Sequence, residues 1–394
     1  MSEVFIPSLN KSFPLNRKIG KLGGDREGPV LIFLGGMHGN EPSGMAALHE
    51  VFESYSSNNE SFFGTAYAFS GNLGALSKGH RFIKEDLNRL WNEEKMLLLN
   101  ESKLVENGLE YEEGEQVELF REIKAIMSQH NGPFAFFDLH TTSSHSVPFI
   151  LINDTMNNRN LAKKFPLRII LGIEEYLNGP FLSYINDLGY ISLAFEAGEH
   201  NDANSFLLHK KFILQCFLLT GFIKDEGLYQ ELIDNESKKM FSHAFFEILH
   251  RYEIDNEEEF VMNEGYANFD KVKKGMVVAK NQHGPIEIKE SSYLFMPLYQ
   301  TKGSEGFYLI KLIPTFWLQF SSFLRRINFD NLLLALPGVH RYDDEYKSLV
   351  VDGRIARFFS RDLFHLFGYR RSKKEDRKYL YIKRELSKQS SINF

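Results

Sequence analysis

Four short, predominantly apolar runs constrain the fold of this chain most strongly, because each is bounded by glycine or charged residues. They comprise residues 29–34, 65–69, 134–139 and 190–195. Apolar runs of this length without regular polar alternation are typical of strands buried on both faces, as in parallel sheets. Between several of these runs, apolar residues recur at helical spacing, at residues 44–52, 118–127 and 158–165. We therefore predict an α/β fold with a mixed, largely parallel sheet flanked by helices.

Beyond this pattern the chain changes character, and we divide it into four parts. Residues 1–225 are predicted to form the α/β domain, and residues 226–255 a helical connection. Residues 256–313 show short alternating segments between turn signals, which predicts a smaller β-rich C-terminal domain. Residues 314–394 form a C-terminal extension that we expect to pack on the second domain.

Three segments have two interpretations each. The acidic residues 92–118 are interpreted as a solvated excursion, with a pocket element as the alternative. The aromatic-rich residues 316–336 are predicted to form a buried core helix, with a protein or membrane-surface contact as the alternative. The basic residues 369–384 include Glu375 and Asp376, and we expect a solvated helix or strand rather than an anion-binding patch.

The composition argues against several classes of function. The 46 Lys and Arg residues against 52 Asp and Glu residues give a net charge of −6, which argues against a nucleic-acid partner. No apolar stretch reaches the roughly 18 residues that a membrane span needs, so no membrane partner is expected. Cys216 is the only cysteine, which excludes an internal disulfide and favours a reducing, cytoplasmic location. A transition metal would therefore be bound by His, Asp or Glu.

Two candidate ligand motifs follow predicted strands. His38 and Glu41 lie in a Gly-rich segment after the first apolar run, and His140 lies at the end of the third. Two histidines and one glutamate are an established ligand set for catalytic zinc, which keeps a further position open. Asp138 shares a strand face with His140, and could either orient that histidine or bind loop amides. His145 is an alternative ligand or substrate contact, or a solvated residue.

Glu196 ends the fourth apolar run and is the candidate general base and acid. Hydrolysis of an amide needs a base that accepts a proton from the attacking water and an acid that donates a proton to the leaving amine. Glu199 and His200 compete for this role, and an ion pair or a helix cap is the structural alternative for Glu196. Residues 81–91 supply two guanidinium groups and one amide suited to carboxylate binding or oxyanion stabilisation, namely Arg81, Asn88 and Arg89.

Four segments in this order, GGMHGNEPSG, RFIKEDLNRLW, FFDLHTTSS and ISLAFEAGEH, resemble the succinylglutamate desuccinylase/aspartoacylase family, whose members are relatives of zinc carboxypeptidases. The resemblance extends into the β-rich region through NEGYANFDKVKKGMVVA and YLFMPLYQTKGSEGFYLI. It implies a carboxypeptidase-like α/β catalytic domain and one zinc ion per chain. It also implies hydrolysis of an N-acyl amino acid to a carboxylate and a free amino acid.

The resemblance also implies a role for the residues that match the motifs. His38, Glu41 and His140 resemble the zinc ligands of the family, and Glu196 resembles its general base and acid. Tyr308 is the candidate for the tyrosine that closes the aspartoacylase pocket.

The second of the four segments resembles the substrate-binding segment of the family. Arg81 would polarise the substrate carbonyl, while Asn88 and Arg89 would anchor a substrate carboxylate. In aspartoacylases a further arginine precedes the catalytic glutamate, but that place is Asn186 here and the nearest upstream arginine is Arg168. Specificity for N-acetylaspartate is therefore not expected.

These observations lead to one preferred function and two alternatives. The preferred function is a zinc-dependent amide hydrolase that deacylates a small, carboxylate-bearing N-acyl amino acid, in a chain that could form a homo-oligomer. The first alternative is a carboxypeptidase or amidase that acts on a larger peptide-like substrate. The second is a metal-binding scaffold without catalytic activity.

Overall fold

Strands and helices alternate through the first half of the chain. The computed structural model describes residues 2–23, 26–56, 62–100, 109, 111–235, 243–255, 259–300, 303–327, 329–342, 348–355, 361–375 and 378–384. Its strands are β1 (Glu3–Ile6), β2 (Lys11–Pro14), β3 (Lys18–Gly23), β4 (Val30–Gly35), β5 (Thr65–Ser70), β6 (Phe134–Thr142), β7 (Phe149–Ile152), β8 (Arg168–Leu171), β9 (Ile191–Glu199), β10 (Phe245–Glu253), β11 (Val261–Met262), β12 (Lys271–Val272), β13 (Val277–Asn281), β14 (Gly284–Glu287), β15 (Ser292–Phe295), β16 (Glu305–Leu312), β17 (Val339–Arg341), β18 (Ser348–Asp352), β19 (Tyr369–Glu375) and β20 (Lys378–Lys383). Its helices are α1 (Ser43–Tyr55), α2 (Leu73–Lys78), α3 (Glu93–Asn100), α4 (Glu112–Gln129), α5 (Met156–Ala162), α6 (Phe181–Asp187), α7 (Ala203–Leu219), α8 (Glu226–Tyr229), α9 (Thr315–Arg326) and α10 (Arg361–Leu366).

One 11-stranded sheet runs through the molecule. Its strand order is β12-β15-β16-β10-β8-β7-β9-β6-β4-β5-β3. Between β10 and β5 the neighbouring strands are parallel, with the exception of β7 and β9, which are antiparallel. The prediction of a mixed, largely parallel sheet flanked by helices, with a smaller β-rich C-terminal part, is therefore confirmed.

Helices cover both faces of the central strands. The side chains of β4 alternate between two apolar clusters, with Leu31 and Phe33 packed in the cluster that includes α1 and α7, and Ile32 and Leu34 packed in the cluster that includes α4. All residues of β4 are buried. An apolar run without polar alternation thus forms a strand covered on both faces, as predicted.

The helical prediction for residues 226–255 is wrong for its second half. Helix α8 and a π-helical turn, Gln230–Asp234, are followed by β10, which is a strand. β10 pairs in parallel with β8 and antiparallel with β16, so its backbone groups bond to partners distant in sequence. These partners decide the conformation, and helical spacing within the segment does not reveal them.

The β-rich region shares the main sheet with the preceding domain. β12, β15 and β16 extend that sheet from β10, while β11, β13 and β14 form a separate three-stranded sheet. β16 therefore places residues of the β-rich region in the same sheet as β4, β6 and β9, the strands at which three of the four motifs lie. No helix in the described part of the chain is long and apolar enough to cross a membrane.

The described part of the extension forms α9, α10 and a four-stranded sheet of order β17-β18-β20-β19. It has an apolar core of its own, which includes Leu324, Phe364 and Tyr381. Asp362 of α10 binds Lys311 of β16 at 3.0 Å, a contact with the β-rich region. The extension also contacts the first 225 residues through the buried charges described below, so the predicted packing on the second domain covers only part of its contacts.

The prediction that the aromatic-rich residues form a buried core helix is wrong. In α9 the side chains of Phe316, Trp317 and Phe323 are 65%, 47% and 57% exposed. The buried residues of the helix are Ser321, Leu324 and Arg325. Leu324 packs in the apolar core of the extension, while Ser321 and Arg325 face inward because they bind charged and polar groups elsewhere in the chain.

Three guanidinium groups surround Asp154, which is fully buried and follows β7. Its carboxylate accepts hydrogen bonds from Arg159 of α5, Arg325 of α9 and Arg370 of β19, and Arg325 Nη2 lies 2.8 Å from Oδ2. Burial alone would raise the pKa of Asp154, but the three arginines hold it well below its ordinary value. Arg370 also binds Glu247 of β10 at 2.9 Å. These ion pairs join the extension to the large sheet.

We predict that Asp154→Asn destabilises the protein strongly, because it leaves three buried guanidinium groups without their shared counter-charge. The free energy of unfolding, measured by urea denaturation, should fall by about 3–5 kcal/mol. Asp362→Asn is the matched control, since its ion pair with Lys311 lies at the surface and its loss should change the free energy by less than about 1 kcal/mol. Equal effects of the two substitutions would contradict the role assigned to Asp154.

Candidate active site

Three adjacent parallel strands, β4, β6 and β9, carry the candidate metal ligands and Glu196 at or just beyond their carboxyl ends. His140 of β6 lies directly opposite Glu196 of β9 in the strand register. The loop that follows β4 carries His38 and Glu41. Because parallel strands end at the same edge of the sheet, residues from three distant motifs converge there.

Two glycines allow the loop after β4 to turn tightly. Gly36 has a φ of +77°, which L side chains rarely adopt. Gly39 lies so close to α2 that a Cβ atom there would be 2.1 Å from the carbonyl carbon of Ala75. The glycines of this motif therefore let the backbone pack closely where His38 and Glu41 are presented.

Glu41 bridges the two histidines. Its Oε1 atom lies 2.8 Å from His38 Nδ1, and its Oε2 atom lies 3.0 Å from His140 Nδ1. The backbone N–H of Thr141 also donates to Oε2 at 3.0 Å. All three candidate ligand side chains are buried, and the two imidazole rings are 5.1 Å apart between centroids.

Each histidine pairs its other ring nitrogen with an aspartate. His38 Nε2 lies 3.1 Å from Asp86 Oδ1, and His140 Nε2 lies 2.8 Å from Asp138 Oδ2. A carboxylate bound to one ring nitrogen favours a proton there, which leaves the other nitrogen able to bind a metal ion. Sequence reasoning assigned no role to Asp86, although a histidine ligand commonly has such an acidic neighbour.

The charges of the site keep two of its acidic groups, Glu41 and Asp86, ionised. Burial alone would raise the pKa of Glu41, but the charge of His38 and hydrogen bonds from both histidines hold it well below its ordinary value. Burial alone would also raise the pKa of Asp86, which the charges of His38 and Arg81 hold well below its ordinary value. The site therefore combines buried anions with histidines, an arrangement suited to a divalent cation.

The donor set fits zinc. One donor atom from each of His38, Glu41 and His140 lies within 4.8 Å of the others. Two nitrogens and a carboxylate oxygen are the ligands that catalytic zinc commonly takes, and other divalent ions accept the same set. Asp138 Oδ1 and Glu196 Oε2 are buried beside it and have no hydrogen-bond partner among the described residues. The surroundings are thus polar and not fully satisfied within the chain.

Glu196 is 4% exposed and lines the same cavity. Burial raises its pKa from 4.5 to about 8, with smaller opposing effects from nearby charges. A carboxyl group with a pKa near neutrality can both accept and return a proton. Of the two residues that compete with it in sequence, Glu199 is exposed and outside the cavity lining, whereas His200 lines the cavity and bonds Thr141 Oγ1 at 2.8 Å.

Arg81 and Asn88 are held in fixed orientations beside the cavity. Arg81 Nη2 donates to Asp86 Oδ2 at 3.0 Å, and Nη1 lies 3.6 Å from Glu41 Oε1. The side-chain oxygen of Asn88 accepts a hydrogen bond from the backbone N–H of Phe181 at 2.9 Å, which turns its NH₂ group away from that contact.

Arg89 and Tyr308 line the cavity on the side of β16. Arg89 Nη2 lies 3.6 Å from Glu305 Oε1, so a substrate carboxylate would share this guanidinium group with Glu305. Tyr308 is 3% exposed, and burial raises the pKa of its hydroxyl group, which is therefore neutral. The position of Tyr308 in the lining is consistent with the prediction from sequence but does not test its role.

Glu112 orders the segment that contains Arg81 and Asp86. This glutamate belongs to the acidic stretch interpreted from sequence as a solvated excursion, yet it is 2% exposed at the start of α4. Its carboxylate accepts hydrogen bonds from the backbone N–H groups of Ile83 and Lys84 at 2.6 and 3.1 Å. Residues 101–108 and 110 of the stretch lie outside the described residues.

The cavity has a volume of about 140 Å³ and is lined by both polar and apolar side chains. It contains all eight site residues predicted from sequence, namely His38, Glu41, Arg81, Asn88, Arg89, His140, Glu196 and Tyr308. The other polar residues of the lining are Asp138, Thr141, Thr142, Ser143, Ser144, His200, Gln300 and Glu305. The apolar residues of the lining are Leu151, Ile173, Leu177, Pro180, Leu182, Ala194, Met296 and Leu298.

Three residues considered from sequence lie outside this lining. His145 is exposed, and Arg168 packs its guanidinium group over the ring of Phe269 at 4.3 Å. Asn186 is buried, and its side chain bonds Asn158 and Ser192. The place of the second aspartoacylase arginine is therefore occupied by a structural amide.

A second group of acidic and histidine side chains, Glu247, Asp362 and His365, also brings its donor atoms within 4.8 Å. Here Lys311 Nζ lies 3.6 Å from Glu247 and 3.0 Å from Asp362. The lysine already supplies the positive charge, so we assign no metal to this group.

The comparisons with known proteins agree with this geometry. Residues 27–211 match the family model of the succinylglutamate desuccinylase/aspartoacylase catalytic domain. No curated protein matches the chain.

Solved structures share the fold. Succinylglutamate desuccinylase/aspartoacylase from Rhodobacter sphaeroides is 14% identical, with a TM-score of 0.53 over 75% of this chain and 88% of that chain. Succinylglutamate desuccinylase from Vibrio cholerae is 15% identical, with a TM-score of 0.54 over 73% and 82%. The product-bound ectoine utilization protein EutE (DoeB) from Ruegeria pomeroyi is 16% identical, with a TM-score of 0.52 over 73% and 86%.

We predict that His140→Ala abolishes stoichiometric zinc binding, because it removes one of the three donors. Competition with a chelator, followed by metal analysis, should show affinity weakened by more than about 100-fold, and Asp138→Asn should weaken it by roughly 10- to 100-fold. His145→Ala is the matched control, since this exposed histidine lies outside the cavity lining. Zinc retained by His140→Ala, or lost by His145→Ala, would contradict the assigned ligand set.

Proposed function

We propose that the protein is a zinc-dependent amide hydrolase, because residues 27–211 match the model of the succinylglutamate desuccinylase/aspartoacylase catalytic domain. It deacylates a small, carboxylate-bearing N-acyl amino acid by cleaving a linear amide C–N bond. The observation that carries this proposal is a cavity that brings together a His–Glu–His ligand set, a buried glutamate of raised pKa and two arginines.

His38, Glu41 and His140 would hold the zinc ion. When bound, zinc polarises an acyl carbonyl and makes water a stronger nucleophile near neutral pH. Asp86 and Asp138 keep the Nε2 atoms of the two histidines protonated, so that both Nδ1 atoms face Glu41 and the ligand position.

Glu196 moves the proton during the reaction. It takes a proton from the attacking water as the new C–O bond forms at the acyl carbon, and it returns that proton to the nitrogen as the C–N bond breaks. The products are a carboxylic acid, which ionises, and a free amine. A pKa raised toward neutrality by burial suits a group that has to act as base and then as acid.

Arg81 stabilises the negative charge that develops on the carbonyl oxygen. Its guanidinium group is oriented by the hydrogen bond to Asp86, so little reorganisation is needed as the charge forms. Asn88 and Arg89 anchor the carboxylate of the amino acid, where Arg89 can bind it with two parallel hydrogen bonds.

The rest of the substrate is apolar. Among the described residues that line the cavity, Arg81 and Arg89 are the only ones with an ammonium or guanidinium group. The wall formed by Leu151, Leu182 and Ala194 offers no partner for a second carboxylate. The match to the desuccinylase/aspartoacylase catalytic domain favours an N-acyl amino acid over the larger peptide-like substrate of a carboxypeptidase or amidase. A cytoplasmic location and a possible homo-oligomer stay predictions from sequence.

We predict that Glu196→Gln lowers kcat by about 10²- to 10⁴-fold, because the amide cannot accept or return the proton. Metal content, measured on the same preparations, should stay at the wild-type value. Glu199→Gln is the matched control, since this exposed neighbour lies outside the cavity lining and should keep full activity. Unchanged turnover in Glu196→Gln would remove Glu196 from its role.

The wild-type pH profile tests the same assignment. Glu196 has to be ionised to accept a proton, so kcat/KM should rise with pH through its pKa. Burial raises that pKa from 4.5 to about 8, and a bound cation would lower it, so the acid limb should lie between these values. An acid limb below pH 4.5 would indicate that the surroundings of Glu196 do not raise its pKa.

We predict that N-acetyl-leucine and N-acetyl-methionine are hydrolysed with at least roughly tenfold higher kcat/KM than N-acetylaspartate or N-succinylglutamate, because the apolar wall cannot bind a second carboxylate. An analogue of the preferred substrate in which a carboxamide replaces the carboxylate should be a poor substrate for the wild type. Arg89→Ala should lose this discrimination between acid and amide, mainly through a higher KM. A wild-type preference for the dicarboxylates would contradict the proposed pocket chemistry.

A further inference from the structure

Helix α9 carries an apolar ridge on the protein surface that the proposed hydrolysis does not use. Phe316, Phe320, Phe323 and Ile327 lie at helical spacing along one side, with exposed fractions of 65%, 37%, 57% and 48%. Trp317 stands beside them, 5.4 Å from the ring of Phe316, which itself stacks on Phe320 at 6.1 Å. Contiguous exposed apolar groups of this kind mark interaction surfaces. We call these five residues the aromatic ridge.

The buried side of α9 holds the ridge outward. Ser321 Oγ donates to the carbonyl oxygen of Leu366 at 2.8 Å, and Arg325 binds Asp154 and the carbonyl oxygen of His365. If the helix rotated to bury the ridge, Arg325 would leave the buried Asp154 with less counter-charge, which is costly. The exposure of the aromatic rings is therefore fixed by buried ion pairs.

The extension differs in charge from the rest of the chain. Residues 314–394 contain 16 Lys and Arg residues against 9 Asp and Glu residues, a net charge of +7, whereas the whole chain carries −6. The preceding 313 residues therefore carry −13. Arg325 and Arg370 bind acidic residues outside the extension, which still leaves a surplus of positive charge on it.

Several of these positive charges are on the surface. Arg326 at the end of α9 is exposed, as are Arg341, Arg354 and Lys378 in or beside the strands of the extension. Helix α9 itself contains no Asp or Glu. The exposed basic side chains of the extension attract anions, although Asp362 lies near Trp317 in a groove that both residues line.

We propose that the extension binds the surface of an anionic phospholipid bilayer, with the aromatic ridge inserted among the acyl chains and headgroups. Phe and Trp on one side of a helix favour this interfacial position, and neighbouring Lys and Arg residues are attracted to anionic lipids. A second copy of the chain is the less favoured occupant, because a symmetric contact would bring two basic extensions together. In this contact the helix lies at the interface between lipid and water and does not cross the bilayer. The proposal nevertheless differs from the sequence-based expectation of no membrane partner.

The test uses the full chain with sedimented vesicles of phosphatidylcholine, with and without phosphatidylglycerol. Binding should require the anionic lipid and weaken as salt is added. The chain has two tryptophans, Trp91 at 3% exposed and Trp317 at 47% exposed, so a blue shift of tryptophan emission on binding reports mainly on Trp317.

Phe316→Ser combined with Phe323→Ser should weaken partitioning onto anionic vesicles by roughly tenfold or more, because two apolar side chains no longer enter the bilayer. Phe5→Ser is the matched control, since Phe5 is 56% exposed on β1, outside the ridge. Circular dichroism and deacylase activity of each variant check the fold, and they do not depend on vesicles. Binding to lipid is therefore tested separately from the proposed hydrolase activity.

Three outcomes would overturn the assignment to a membrane surface. They are failure of the wild-type chain to bind anionic vesicles, equal binding by the double variant, and equal loss of binding in Phe5→Ser. A dimer seen by light scattering, lost in the double variant and accompanied by no vesicle binding, would assign the ridge to a second copy instead.

Discussion

A carboxylate that is 1% exposed can stay ionised only if donors and positive charge surround it, and the candidate site depends on this condition at Glu41. The partners of its carboxylate are the Nδ1 atoms of His38 and His140 and the backbone N–H of Thr141, and a metal ion held by the same ligands would supply positive charge. These partners come from the loop after β4 and from β6, so the site requires the parallel pairing of these strands. A change in the register of β4 against β6 would separate Glu41 from His140 and Thr141.

The next layer of contacts sets how precisely the site is held. Asp86 binds both His38 and Arg81, so one carboxylate links a candidate metal ligand to a candidate substrate-binding group. The segment between Arg81 and Asp86 is held in place by Glu112. The carboxylate of Glu112 accepts hydrogen bonds from three backbone N–H groups of this segment and from the side chain of Asn72. Part of an acidic stretch that resembles surface decoration is thus a support for the active site.

Four of the predicted site residues lie away from strand ends and were predicted from residue type or from the family resemblance, namely Arg81, Asn88, Arg89 and Tyr308. The candidate metal ligands and Glu196 could be predicted from sequence because they end or follow apolar strands, and parallel strands place such ends together. Asp86 could not, since its role depends on which ring nitrogen of His38 it meets in space. β10 and the exposure of α9 also escaped prediction. Helical spacing indicates which side chains share a face, but a partner strand or a buried charge such as Asp154 decides whether the segment is a strand, or which face turns inward.

The ion pairs around Asp154 constrain how this sequence and its relatives can diverge in evolution. A relative without the extension would lack Arg325 and Arg370, and Asp154 would then keep only Arg159 among the three guanidinium groups that bind it here. Burial of a carboxylate with less positive charge around it is unfavourable. Loss of the two distant arginines should therefore be accompanied by loss of the aspartate. Across related sequences these positions should vary together, and the presence of an aspartate after β7 should indicate a chain that carries the extension.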